Sequence, residues 1–182
     1  MMRRTSIVST AVALATAAMP LTSHACWDEA ERLYGVSASL LYAVARAESD
    51  LNPAAVNLSH KARTGTYDIG LMQINSGHLP TLAAAGIREQ DLYDSCTNIK
   101  VGAWLMAHAF ARHGVSWDAV GAYNAACTQL KGNACTEARS RYAWRVYRRL
   151  PASATTAPRR AAATAAAQPS PAIYILSARV SP

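Results

Sequence analysis

The sequence predicts a mainly α-helical domain with a small β-hairpin or loop region, occupying residues 26–150. Three observations predict it. The stretch 97–113 carries Ile99, Val101, Ala103, Trp104, Leu105, Ala107, Ala109 and Phe110, so it is apolar on most sides, as a buried helix is. Other segments open at Ser or Thr and close at Gly or ahead of Pro, the usual punctuation of helices. Residues 59–70 instead collect Ser, Gly, Thr and Asp with little helical period, which fits a loop or small hairpin beside the helices.

Taken in order, residues 1–25 read as an export signal. Arg3 and Arg4 start it, an Ala-rich apolar run follows over 7–19, and Ser23-His24-Ala25 offers a small-x-small cleavage site before Cys26. The run is too short and too diluted by Thr and Ser to span a membrane, so no stable span is expected once the signal is removed. A cysteine at the cleavage point suggests a lipid anchor, but Ser23-His24 does not resemble the usual lipobox. Residues 27–34 suit a first helix ending at Gly35. Ser37 is placed to cap a second, over 37–49, stopped by Asn52-Pro53. Residues 71–76 form a short segment stopped near Pro80, and 82–86 a helical turn closed by Gly86. The helix at 97–113 ends at Gly114, Ser116 caps another over 117–124, and 136–149 is a final basic helix. From 151 to 172 the chain is almost entirely Ala, Pro, Ser and Thr, with Arg159 and Arg160, so 151–182 is expected to be a disordered tail. Ile173-Tyr174-Ile175-Leu176 is its one apolar run.

Four cysteines in an exported chain read as disulfides, in three possible pairings. The expectation is Cys26–Cys96, closing a long loop worth about 4 kcal/mol, and Cys127–Cys135, closing a short one worth about 2.5 kcal/mol. A zinc site would prefer paired short C-x-x-C units, which are absent, and His60, His78, His108 and His113 show no ligand-like grouping, so no metal is expected. The compartment implied is oxidising, such as a bacterial periplasm.

The formal net charge is +7, but Arg3, Arg4, Arg159, Arg160 and Arg179 lie outside 26–150. Removing those five from 18 basic residues leaves thirteen against eleven acidic ones, an excess of two that makes no case for nucleic acid. The bases gather late, at Lys131, Arg139, Arg141, Arg145, Arg148 and Arg149. They face an anionic polymer or membrane surface, or simply solvent.

The chemistry concentrates in three places. Leu41, Val44 and Glu48 fall on one stripe of the second helix, so the Glu48 carboxyl is turned toward the core. Burial and the negative end of the helix both raise a carboxyl pKa, which equips it as a general acid. The plainer reading is an exposed carboxylate paired with Arg46 or Lys61. In Asp68-Ile69-Gly70-Leu71-Met72-Gln73-Ile74-Asn75-Ser76, Gly70 lets a substrate approach the backbone. Gln73 supplies donors and an acceptor for sugar amides and hydroxyls, and Leu71, Met72 and Ile74 wall an apolar groove. Trp27, Trp104, Trp117 and Trp144 suit core or groove walls.

Glu48-Ser49, Gly70-Leu71-Met72-Gln73-Ile74 and Ala122-Tyr123-Asn124 resemble, in order and spacing, the three motifs of the lytic transglycosylases, which have the lysozyme-like fold. The resemblance spans about 26–126. Cys26-Trp27, Tyr67 to Ser76, Asp91 to Ile99 and Val101-Gly102-Ala103-Trp104 resemble more closely the small single-domain members that accompany secretion systems, pili and conjugation machines. Cysteines in that group placed like Cys26 and Cys96 support the first pairing; the second rests on proximity. The resemblance implies Glu48 as the catalytic acid/base, with Gln73, Tyr123, Asn124, Asp68, Gly70 and Met72 as substrate-binding residues. The Tyr123 hydroxyl is placed near the Glu48 carboxyl. The reaction implied is cleavage of the β-1,4 bond between N-acetylmuramic acid and N-acetylglucosamine with a 1,6-anhydro product and no cofactor. The partners implied are peptidoglycan strands and components of a secretion or pilus apparatus.

Asp68 departs from that pattern. The run Thr66 to Ser76 also resembles animal-type lysozymes, where an aspartate here is the second catalytic carboxylate. Two carboxylates would support a retaining hydrolase, whereas an Asp beside a Gly more often caps a turn. A non-catalytic peptidoglycan-binding assembly factor is the third reading.

Overall fold

The computed structural model describes residues 22–152. The expected leader and tail, save for residues 22–25 and 151–152, lie outside them. Seven helices and a small sheet follow in the order α1 (Thr22–Tyr34), α2 (Ala38–Glu48), β1 (Val56–Asn57), α3 (Lys61–Thr64), β2 (Asp68–Ile69), β3 (Ile74–Asn75), α4 (Leu79–Ala84), α5 (Ser95–His113), α6 (Trp117–Asn124) and α7 (Gly132–Tyr147). Single 3₁₀ turns at Ser76–His78 and Glu89–Tyr93 link them. The architecture is the mainly α class expected; only β2 falls within the expected 59–70, with β1 just before it and β3 after it.

The apolar helix α5 is the hub. Ile99, Val101, Ala103, Trp104 and Met106 are buried along it, and α1, α2 and α6 pack against it. Asp94 caps its start, its carboxylate accepting from the Thr97 N–H. Two ties fix α1 to it. Cys26 is bonded to Cys96 with Cα atoms 5.2 Å apart, and Lys100 Nζ lies 2.8 Å from Glu29 Oε2. Cys127 is bonded to Cys135, Cα atoms 5.6 Å apart, across the loop between α6 and α7. Both pairings are those expected.

The β region has three strands rather than one hairpin. β2 pairs antiparallel with β1 and with β3, in the order β1-β2-β3, and α3 fills the long β1–β2 connection. Two local expectations are corrected. Ser37 stands at the N-cap of α2 but makes no side-chain cap; the Glu31 carboxylate from α1 accepts the Ala38 N–H at 2.8 Å. A carboxylate at a helix start also meets the positive end of the dipole, so it displaces the weaker hydroxyl. Pro80 does not stop a segment but sits in the first turn of α4, where its missing N–H costs nothing. Among the described residues no helix is long and apolar enough to cross a membrane.

Candidate active site

α2 delivers Glu48 to its last position, and the residues that follow bind that end to the sheet. Leu41 and Val44 are fully buried on the same stripe, which draws Glu48 inward until it is half-buried. Ser49 Oγ donates to the Leu71 carbonyl at 2.7 Å and accepts the Asn52 N–H at 3.0 Å. Asp50 and Leu51 then take positive φ, turning the chain away before Pro53. Arg46 pairs with Asp50 at 2.7 Å, so the pairing of Glu48 with Arg46 weighed above does not form.

The β2–β3 turn is locked by Asn98, a buried polar residue on α5. Its Nδ2 donates to the Ile69 and Leu92 carbonyls at 3.1 and 2.7 Å, and its Oδ1 accepts the Met72 N–H at 2.7 Å. Gly70 has φ 75°, and a Cβ there would collide with the Asn98 amide and the Leu92 carbonyl. Gly70 is therefore required by packing within the protein on its Cβ side. The groove-wall reading of the Met72 side chain is corrected. Its side chain is fully buried against Gly102, where a Cβ would strike it, so it is core and offers no groove wall. Leu71 and Ile74 are buried too. At the turn, Gln73 takes φ 51° and its Nε2 donates to the Gly70 carbonyl at 2.8 Å and the Ala55 carbonyl at 3.3 Å. Its amide nitrogen braces the turn, and its Oε1 accepts nothing among the described residues.

Two tyrosines close the far side. Tyr142 on α7, 2% exposed, donates its hydroxyl to Glu48 Oε1 at 2.5 Å. Tyr123 on α6 donates instead to the Met72 carbonyl at 3.0 Å. The two rings stack, with centroids 6.4 Å apart and planes 20° from parallel. Sequence reasoning assigned the hydroxyl partner of Glu48 to Tyr123 and passed over Tyr142. Its signal was present: Tyr142, Ala143 and Val146 form the apolar edge of an otherwise basic helix. The Arg145 guanidinium lies over the Tyr142 ring, 4.9 Å from its centroid. Asn124 ends α6 exposed, with no side-chain bond among the described residues.

Burial is the largest influence on Glu48 and pushes its pKa up to about 7. The hydrogen bond from Tyr142 and the charge of Arg145 pull it down, and the charge of Asp68 adds to the rise. Burial also drives both tyrosine hydroxyls well above their usual range, with the Glu48 charge adding to it. Asp68 itself, at the start of β2, accepts three bonds. Asn75 Nδ2 reaches Oδ1 at 2.8 Å, while His60 Nε2 at 2.8 Å and Asn57 Nδ2 at 3.1 Å share Oδ2. The backbone cap expected of an Asp beside a Gly is replaced by this side-chain net. His60, left unassigned from sequence, is part of it. The arrangement holds one proton-exchanging carboxyl beside a phenol, with a second, anchored carboxylate near enough to act on it.

Residues 25–143 match the family described as "Transglycosylase SLT domain". The chain belongs to that family. As an SLT domain it has the lysozyme-like fold and a family that acts on peptidoglycan. The chain is 40% identical over 129 residues to "Invasion protein IagB" of Salmonella typhimurium, covering 69% of this chain and 76% of that protein. It is 38% identical over 125 residues to "Protein IpgF" of Shigella flexneri, covering 68% and 78%. It is 41% identical over 124 residues to "X polypeptide" of Escherichia coli, covering 68% and 70%.

Proposed function

We propose that this SLT domain is a lytic transglycosylase that cuts the β-1,4 bond between N-acetylmuramic acid and N-acetylglucosamine and closes a 1,6-anhydro ring on the muramic residue. The observation that carries the reading is the Glu48 carboxyl, half-buried at a helix end, bonded to Tyr142 and titrating at about 7. Such a group is a usable donor and a usable acceptor at the same pH. Glu48 gives its proton to the glycosidic oxygen as the bond to the anomeric carbon breaks. The substrate's own N-acetyl oxygen meets the positive charge left on that carbon. The ionised Glu48, steadied by the Tyr142 hydroxyl and the Arg145 charge, then takes the proton of the muramic 6-hydroxyl as its oxygen bonds to the anomeric carbon. The proton count closes on one residue, and no water is consumed. Gln73, through its open Oε1, Tyr123 and Asn124 are the proposed sugar contacts. The periplasm and local remodelling of the wall for an envelope-spanning apparatus fit the peptidoglycan substrate and the relative named an invasion protein.

One observation favours a second reading. The Asp68 charge acts on Glu48, as a second catalytic carboxylate of a lysozyme-type hydrolase would. Its three hydrogen bonds weigh the other way, because a nucleophile so engaged must release donors to attack. Mass spectrometry of the muropeptides released by the purified protein separates the two. The transglycosylase product is lighter by one water; a hydrated reducing end would make the protein a hydrolase. If Glu48→Gln clears cell-wall suspensions as fast as the parent, both Glu48-based readings fail; if the parent itself clears none, a non-catalytic assembly factor stands.

A further inference from the structure

Tyr142 and Val146 turn one face of α7 into the core, and the opposite face is aromatic and open. Trp144 is 59% exposed, Tyr147 42%, and Trp117 on α6 44%. Tyr147 stands edge-on between the two indoles, 5.4 Å from Trp117 at 82° and 5.3 Å from Trp144 at 85°. With Thr136, Ser140 and Asp118 these rings line a cavity of about 520 Å³, within the roughly 300–1,000 Å³ of small-ligand sites. Neither Glu48 nor any residue bonded to it lines this cavity. Asp118 is held by Arg139 at 2.8 Å, whereas the Ser140 hydroxyl makes no hydrogen bond among the described residues. Residues three and four apart share a helix side, so Arg141 and Arg148 flank Trp144 along the helix, next to the residues that line the cavity. Both are exposed. Arg141 reaches Glu137 at 3.5 Å, and Arg148 makes no ion pair among the described residues.

This combination has a chemical match. Aromatic faces take up the C–H faces of sugar rings, hydroxyls answer their hydroxyls, and cations spaced along an edge answer carboxylates carried at intervals. Peptidoglycan strands supply all three: N-acetylated rings in line, and peptide stems ending in carboxylates. Arg141 and Arg148, which act on neither Glu48 nor Asp68, gain a partner of opposite charge. A lipid surface would be met by apolar side chains standing out, whereas these rings form a recess with hydroxyls on its wall.

We propose that the Trp117–Trp144–Tyr147 slot is an accessory binding site for a peptidoglycan strand, its sugars stacked on the indoles and its peptide carboxylates paired with Arg141 and Arg148. The site lies on the side of α7 away from Tyr142, so it holds the polymer without taking part in its cleavage. It rests on peptidoglycan as the substrate class and not on how Glu48 acts.

The test is sedimentation of the full chain with purified sacculi, in the Glu48→Gln background so that the polymer stays intact. Trp144→Ala should weaken binding about tenfold. Arg141→Glu with Arg148→Glu should weaken it several-fold and flatten its dependence on salt. In the parent, cleavage of a short soluble glycan should be unchanged by Trp144→Ala. Unchanged sacculus binding in both variants overturns the proposal. So does loss of binding to phosphatidylglycerol vesicles alone, or tighter sacculus binding once residues 153–182 are deleted, which would make the chain's own tail the occupant. Sedimentation needs no turnover, so the slot fails or stands independently of the proposed chemistry.

Discussion

Glu48 and Asp68 are two carboxylates in one site, held in opposite ways. Glu48 ends a helix, is withdrawn from water and receives one hydrogen bond, from Tyr142. Asp68 begins a strand and is gripped by Asn57, His60 and Asn75, one donor from each neighbouring strand and one from the segment before α3. Burial outweighs that single donor and favours the proton on Glu48, whereas three donors fix the Asp68 side chain in place. The site therefore separates a carboxyl that exchanges a proton from one that sets geometry and charge around it. Environment, not residue type, makes the difference.

The sharpest way to break this comparison is to exchange each group for its amide. Glu48→Gln should lower wall lysis about a thousandfold, the cost of losing a general acid/base. Asp68→Asn should cost less than about tenfold, since the charge acts on Glu48 only at a distance, although the amide also loses part of the donor set. Equal losses in the two variants, measured as initial clearing rates, would make Asp68 a catalytic partner.

Stability against pH sharpens it next. The folded pKa of Glu48 is raised, from 4.5 to about 7. Its protonated form therefore stabilises the fold fully below 4.5, and that stability is lost as pH rises through 7. The loss is on the order of 3 kcal/mol. In denaturant titrations the parent should weaken across that window by this amount relative to Glu48→Gln.

A smaller effect belongs to Tyr142. Its hydrogen bond lowers the pKa of Glu48. Tyr142→Phe should move the alkaline limb of the pH–rate profile upward and cut the peak rate about tenfold, a hydrogen bond to a charged group. An unmoved limb would mean the hydroxyl does not govern the Glu48 proton.

Much of this was legible before folding. The cap at Ser116 and the apolar run of α5 are local signals that the structure keeps. Glu48 was legible because Leu41 and Val44 set its side of α2. What was not legible depends on distant contacts. Tyr142 meets Glu48 across 94 residues of sequence, by the packing of α7 on α2. Nothing local reports that pairing. Met72 was read as groove wall because a buried apolar segment looks the same whether it faces substrate or core. Asn98 on α5 decided it, by pinning the turn from behind. Glu31 took the cap position from Ser37 for the same reason, through the packing of α1 beside α2.

The proposed chemistry depends on the proton that Glu48 keeps. The direct measurement is a carbon-13 NMR titration of the glutamate side-chain carboxyls, with the Glu48 resonance assigned by its absence in Glu48→Gln. A midpoint at about 7 is the result required here. A midpoint near the ordinary 4.5 would show a wet, ionised carboxylate, and the acid/base assignment would fall with it.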